Sequence, residues 1–271
     1  MGPAWGMGHT QTCQVVLDIL SRCPKLETCK LLVHDPQDVH LEESIVECPS
    51  IHTFDLQSAG APLLTSGRLL SRLSLPELRD FKLRGQAELQ GVFAVDALVS
   101  SLAASTHLAS VSIDSDSFTK SSLTDFLRGL PPTILRLQIT DRFHTWQLSP
   151  SDGSLDDDVL KVLNASPEDH LIHCPALQEL VMLHCRKISD EALGSFIISR
   201  MPILRVVDVK FDRERQVDIL PSLESFLEAG LQTSITYISL MPPQFSPWQG
   251  LPDPPPGQWG QGGWGWPSST Y

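Results

Sequence analysis

Hydrophobic positions along the chain recur in a fixed frame: one apolar residue, a second three further on, and a third two after that. The frame appears at Leu26/Cys29/Leu31, Ile51/Phe54/Leu56, Leu78/Phe81/Leu83 and Leu108/Val111/Ile113. It returns at Ile134/Leu137/Ile139, Leu177/Leu180/Met182, Leu204/Val207/Val209 and Ile235/Ile238/Leu240. Apolar residues two apart, with a polar residue between, predict a strand that buries one face. Successive first positions lie 25, 27, 30, 26, 43, 27 and 31 residues apart. All but one of these spacings fall at or near the leucine-rich-repeat period of roughly 20–29 residues. The long spacing predicts an insertion, placed at Asp141–Leu155, where Ser, Asp and Gly cluster.

Pro stands two residues before the frame at Pro24, Pro49, Pro76, Pro132, Pro175 and Pro202. There it ends a preceding helix and starts an extended segment. Helical periodicity precedes several of these stops, at Val15–Ser21, Ala97–Ala104, Leu123–Leu130 and Ala192–Ser199. Each unit reads as strand, turn, helix, stop. The clearest runs from Cys174 to Met201, where Cys185, Ile188, Asp190 and Leu193 complete it and Ser189 or Asp190 can cap the helix. The fold class expected is therefore α/β, an open leucine-rich-repeat solenoid of about eight imperfect repeats over residues 13–241. A short leader at 1–12 and a disordered tail at 242–271 flank it. The tail is dense in Pro and Gly and carries Trp259, Trp264 and Trp266.

With the frame pointing inward, the alternating residues line the outer, concave face. The expected central column is Lys30, Asp55, Lys82, Ser112, Gln138, Val181, Asp208 and Ser239. Candidate partner-binding residues on this face are Lys82, Arg84, Arg136, Glu179, Val181, Leu183, Val206, Asp208 and Lys210. Val181, Leu183 and Val206 would form an exposed apolar patch rimmed by Glu179, Asp208 and Lys210, the composition of an interaction hot spot.

Charge and residue chemistry narrow the function. The net charge of −12 and the absence of a basic run argue against nucleic acid or an anionic membrane as partner. No stretch is long and apolar enough to span a bilayer, and the start resembles no secretory signal. Cytoplasm or nucleus is the expected location, with the six cysteines reduced. His170, His173, Cys174, His184 and Cys185 lack zinc-site spacing, and Cys174 and Cys185 have places in the frame as small buried groups. Asp152, Asp156, Asp157 and Asp158 lack the calcium-loop pattern; they precede the helical segment Val159–Leu163, whose N-terminus they complement. No phosphate loop, nucleophile elbow or metalloprotease motif occurs, so no catalytic residue, cofactor or metal is expected. Asn164 is the sole Asn, so a ladder of Asn side chains cannot satisfy the turn amides, and irregular turns should follow.

Several stretches resemble the large fungal family of F-box/leucine-rich-repeat proteins. They are Cys23-Pro24-Lys25-Leu26, Leu75-Pro76-Glu77-Leu78-Arg79-Asp80-Phe81, Leu130-Pro131-Pro132-Thr133, Cys185-Arg186-Lys187-Ile188-Ser189-Asp190-Glu191-Ala192-Leu193 and Val209-Lys210-Phe211-Asp212-Arg213. The resemblance covers residues 13–240 and lies wholly in the repeats; no F-box is present in this chain. It implies a protein–protein interaction scaffold like the substrate-recognition part of a cullin-based ubiquitin ligase receptor. A linker-subunit contact would require an F-box. The alternative is a free-standing repeat protein that binds its target with no ligase attached.

Overall fold

The computed structural model describes residues 12–33, 44–58, 69–85, 95–141, 155–164 and 173–238. Backbone contacts divide the chain at Ile238 into two units, and the described residues all belong to the first. The leader up to residue 11, residues 142–154 of the insertion, His170 and the tail lie outside them.

Alternation writes the strands: β1 (Thr28–Val33), β3 (Thr53–Ser58), β5 (Asp80–Gly85), β6 (Ser110–Asp114), β7 (Arg136–Thr140), β8 (Glu179–Cys185), β9 (Val206–Phe211) and β10 (Gln232–Tyr237). They form one parallel sheet in chain order, β1-β3-β5-β6-β7-β8-β9-β10. Two short strands, β2 (Val46–Glu47) and β4 (Leu73–Ser74), pair in a separate parallel ribbon that the frame does not predict. Among the described residues six α-helices accompany the sheet: α1 (Cys13–Ser21), α2 (Val95–Ala103), α3 (Lys120–Gly129), α4 (Asp157–Val162), α5 (Asp190–Arg200) and α6 (Leu220–Glu228). The architecture is α/β with a mostly parallel sheet and no closed barrel.

The register aligns seven of the eight expected frames. Cys29, Phe54, Phe81, Val111, Leu137, Leu180 and Val207 share one row, and Leu31, Leu56, Leu83, Ile113, Ile139, Met182 and Val209 another. Apart from half-buried Leu31, these side chains are buried. Fully burying one such side chain contributes roughly 1.5–3 kcal/mol. Phe54 and Phe81 stack along the row at 6.5 Å.

The eighth frame is corrected. Thr233 and Ile235, not Ile238 and Leu240, pair with Val207 and Val209, so the last strand begins five residues earlier. α6, which the frame did not foresee, ends at Glu228, and Gly230 just beyond it has a φ of 102° that suits the turn out of a helix. Leu231 then enters the core, and Thr233 stands where an apolar residue was sought. Ser234 therefore ends the central column, and Ser239 lies outside the described residues.

Caps and clamps hold the helices. Thr119 and Ser122 form a capping box at the start of α3. Ser189 rather than Asp190 caps α5, accepting from the Ala192 amide at 3.1 Å. Asp156 caps α4 by accepting from the Asp158 and Val159 amides. Arg200, almost wholly buried at the end of α5, donates to the carbonyls of Leu163, His173 and Cys174. That clamp fixes the turn before β8, where Cys174 adopts a left-handed φ of 48°.

Candidate functional site

The sheet face away from the core carries the candidate binding residues. Its central row runs Lys30, Asp55, Lys82, Ser112, Gln138, Val181, Asp208 and Ser234. Arg84 lies in the next row, beside Gln57. Arg136, Glu179 and Val206 form a continuous stretch of the first row. Leu183 and Lys210 are cross-strand neighbours. The face thus brings all nine candidates onto one surface.

Their exposure departs from expectation at Val181. Only 7% of it is accessible, because Gln138 and Asp208 flank it across the neighbouring strands. The exposed apolar patch is corrected to a half-buried pair, Leu183 and Val206, on either side of a buried Val181. Charges on the face are partly paired: Arg136 meets Glu179 at 3.5 Å and Arg84 meets Asp55 at 3.7 Å. Asp55 is 8% exposed, and its Oδ1 has no hydrogen-bond partner among the described residues. Lys30 and Lys82 flank it by register.

A second polar cluster, which the frame does not reveal, gathers where β6–β9 end. Ser115 Oγ donates to Asp141 Oδ1 at 2.8 Å, and Asp114 and Thr140 are buried beside them in sequence. Burial pushes the Asp141 carboxyl above its ordinary value, against the Ser115 hydrogen bond and the positive charge of Arg186. On the adjoining strand a bulge between Leu183 and Cys185 puts His184 at a φ of 66°. Its Nδ1 lies 3.1 Å from Asp212 Oδ2. A bulge of this kind re-aims a side chain at the cost of one residue left out of the ladder. Only composition hinted at this cluster, through polar residues directly after the frame.

The cysteines and histidines considered for metal go elsewhere. Cys185 is fully buried, and burial together with Asp141 and Asp212 pushes its thiol far up; burial pushes Cys174 up to about 11. Such thiols are poor nucleophiles and ligands. His173 Nδ1 faces the Arg128 carbonyl at 3.1 Å. Among the described residues no three His, Cys, Asp or Glu side chains are grouped to hold a metal ion, and no helix is long and apolar enough to cross a membrane.

No family model matches the chain, and no curated protein is significantly similar to it.

Proposed function

We propose that the chain is an open leucine-rich-repeat solenoid of about eight imperfect repeats, and that it binds another protein on the outer face of its sheet. The observation that carries this reading is the row register. It sets charged side chains of both signs, Lys30, Lys82, Arg84, Arg136, Glu179, Asp208 and Lys210, beside half-buried Leu183 and Val206 on one surface. Mixed charge around apolar contact area suits a protein ligand better than a polyanion. The resemblance to F-box/leucine-rich-repeat proteins assigns the role of substrate recognition within a cullin-based ubiquitin ligase, in the cytoplasm or nucleus, and no catalysis or cofactor.

Affinity purification of the tagged chain from its own cells, with quantitative mass spectrometry, tests the reading. Leu183→Asp with Lys210→Glu should lose the partner, while Glu224→Lys, on exposed helix surface, should keep it. Equal recovery with both variants overturns binding on this face. Recovery of a cullin and its linker subunit supports the ligase role; a partner recovered without them favours a free-standing binder.

A further inference from the structure

The two ends of the sheet are chemically unlike, and the β10 end lacks the usual protection. An edge strand presents unpaired amides and carbonyls, which proteins blunt with Lys, Pro or a bulge. The strand Gln232–Tyr237 reads Gln-Thr-Ser-Ile-Thr-Tyr, without a charge, a Pro or a bulge. β1, at the other end, carries Lys30 at its middle.

Backbone direction says which groups are free. The amides of Gln232 and Ile238 donate inward to Arg205 and Phe211. In a parallel ladder alternate residues share a side, so Thr233, Ile235 and Tyr237 turn their N–H and C=O to the open edge. Among the described residues no strand lies there.

Among the described residues, apolar surface on the helix side of the same edge is also left open. α5 buries Leu193, Phe196 and Ile197, whereas α6 buries only Leu223. Leu220 is 42% exposed. A groove of about 660 Å³ runs between helix and strand, lined by Leu220, Leu227, Leu231, Thr233, Ile235 and their neighbours.

We propose that β10 pairs antiparallel with β10 of a second copy of this chain, closing the groove about a two-fold axis at Ile235. The axis is fixed by the backbone. Centred on Ile235, the outward-facing residues meet as Ile235 with Ile235 and Thr233 with Tyr237, each a hydrogen-bonded pair. Three such pairs make about six backbone hydrogen bonds. The same operation keeps faces together: Ile235 and Thr233 stay on the helix side, and Ser234 meets Thr236 on the other. No charge opposes a like charge, because the strand has none. A β1–β1 pairing centred on Lys30 would set two ammonium groups against each other. The interface is isologous, so it stops at a dimer and does not propagate.

Sedimentation velocity of the full chain, over a wide concentration range, should show a species of twice the 29.9 kDa chain mass. Thr233→Pro removes an edge donor without touching the β9 ladder, and Ile235→Lys sets two charges across the axis. Each should raise the dimer Kd by roughly ten- to a hundredfold, with circular dichroism unchanged. In the native chain, amide exchange at Thr233, Ile235 and Tyr237 should quicken on dilution while β9 stays protected. A native chain that remains monomeric overturns the proposal. So does a dimer whose β10 amides exchange at a rate independent of concentration, and this readout stands even if a variant fails to fold.

Discussion

Asp190 Oδ1 accepts from Arg213 Nη2 at 2.7 Å, joining the start of α5 to the segment after β9. Asp190 is fully buried and also accepts from the Gln216 and Val217 amides, each at 2.8 Å, and from Tyr237 Oη at 3.0 Å. Arg213 in turn lies over the Phe211 ring at 4.2 Å. One carboxylate thus ties α5, the loop before α6 and the last strand together. A buried ion pair adds little over an apolar replacement, but removing one partner leaves a charge and its donors stranded. Asp190→Ala should cost about 3–5 kcal/mol, read as the shift in urea unfolding free energy. A cost below about 1 kcal/mol would mean that water or a rearranged loop takes over these donors.

Acid should reach this node and the Asp141 cluster with opposite sign. Burial alone would raise Asp190, but Arg213, the Val217 and Gln216 amides and Tyr237 outweigh it and hold its carboxyl below the ordinary value. Its stabilisation is complete above about pH 4, the ordinary carboxylate value, and is lost as pH falls through the depressed folded value. Asp141 is raised, so the folded state binds its proton more tightly and stability falls as pH rises from about 4 through the folded value. Asp141→Asn, which keeps an oxygen for Ser115, should therefore gain stability at neutral pH and little at pH below about 4. Thermal melts at both pH values check this; a variant that loses at neutral pH shows that the Arg186 attraction dominates instead.

Gly129 closes α3 against α2, and a β-carbon there would sit 2.5 Å from a Val99 methyl. Val is stiff at χ1, so it cannot swing aside freely. Gly129→Ala should destabilise by about 1–3 kcal/mol despite its better helix propensity. Val99→Ala in the same chain should recover most of that loss. A double-mutant cycle in chemical denaturation measures the coupling, and additive costs would refute the close-approach account.

Seven strands were legible because their inward positions are apolar in a constant frame and Pro marks where all of them but β6 begin. β10 was not, since Thr233 breaks the frame and the apolar Ile238 lies just beyond it. Its start is written instead by Gly230, a backbone signal that hydrophobic counting misses. The outward face was legible as a set of residues but not in its exposure: alternation says which way Val181 points, while its burial depends on neighbours 43 and 27 residues away in sequence. Asp190 shows the same limit. Local pattern offered Ser189 or Asp190 as the helix cap; Ser189 takes it, and the partners of Asp190 lie at Arg213, Gln216, Val217 and Tyr237.

Val181 and Leu183 sit two apart on one strand and should respond differently to the same change. Val181 is buried directly across from Asp208. An acid there sets like charges opposite each other on one face and places one of them in a site with little water. Val181→Asp should lower stability by about 2 kcal/mol, and any loss of binding would partly report unfolding. Leu183 is only half-buried and lies beside Lys210, so an acid there gains an opposite charge across the strand. Leu183→Asp should change stability by about 0.5 kcal/mol or less while removing apolar contact area from the face. Unfolding curves separate the two substitutions before any partner is known. Once one is isolated, its affinity for the folded Leu183→Asp chain is the cleaner measure: a Kd raised on the order of tenfold puts the partner over β8 and β9, and an unchanged Kd moves it off this end of the face.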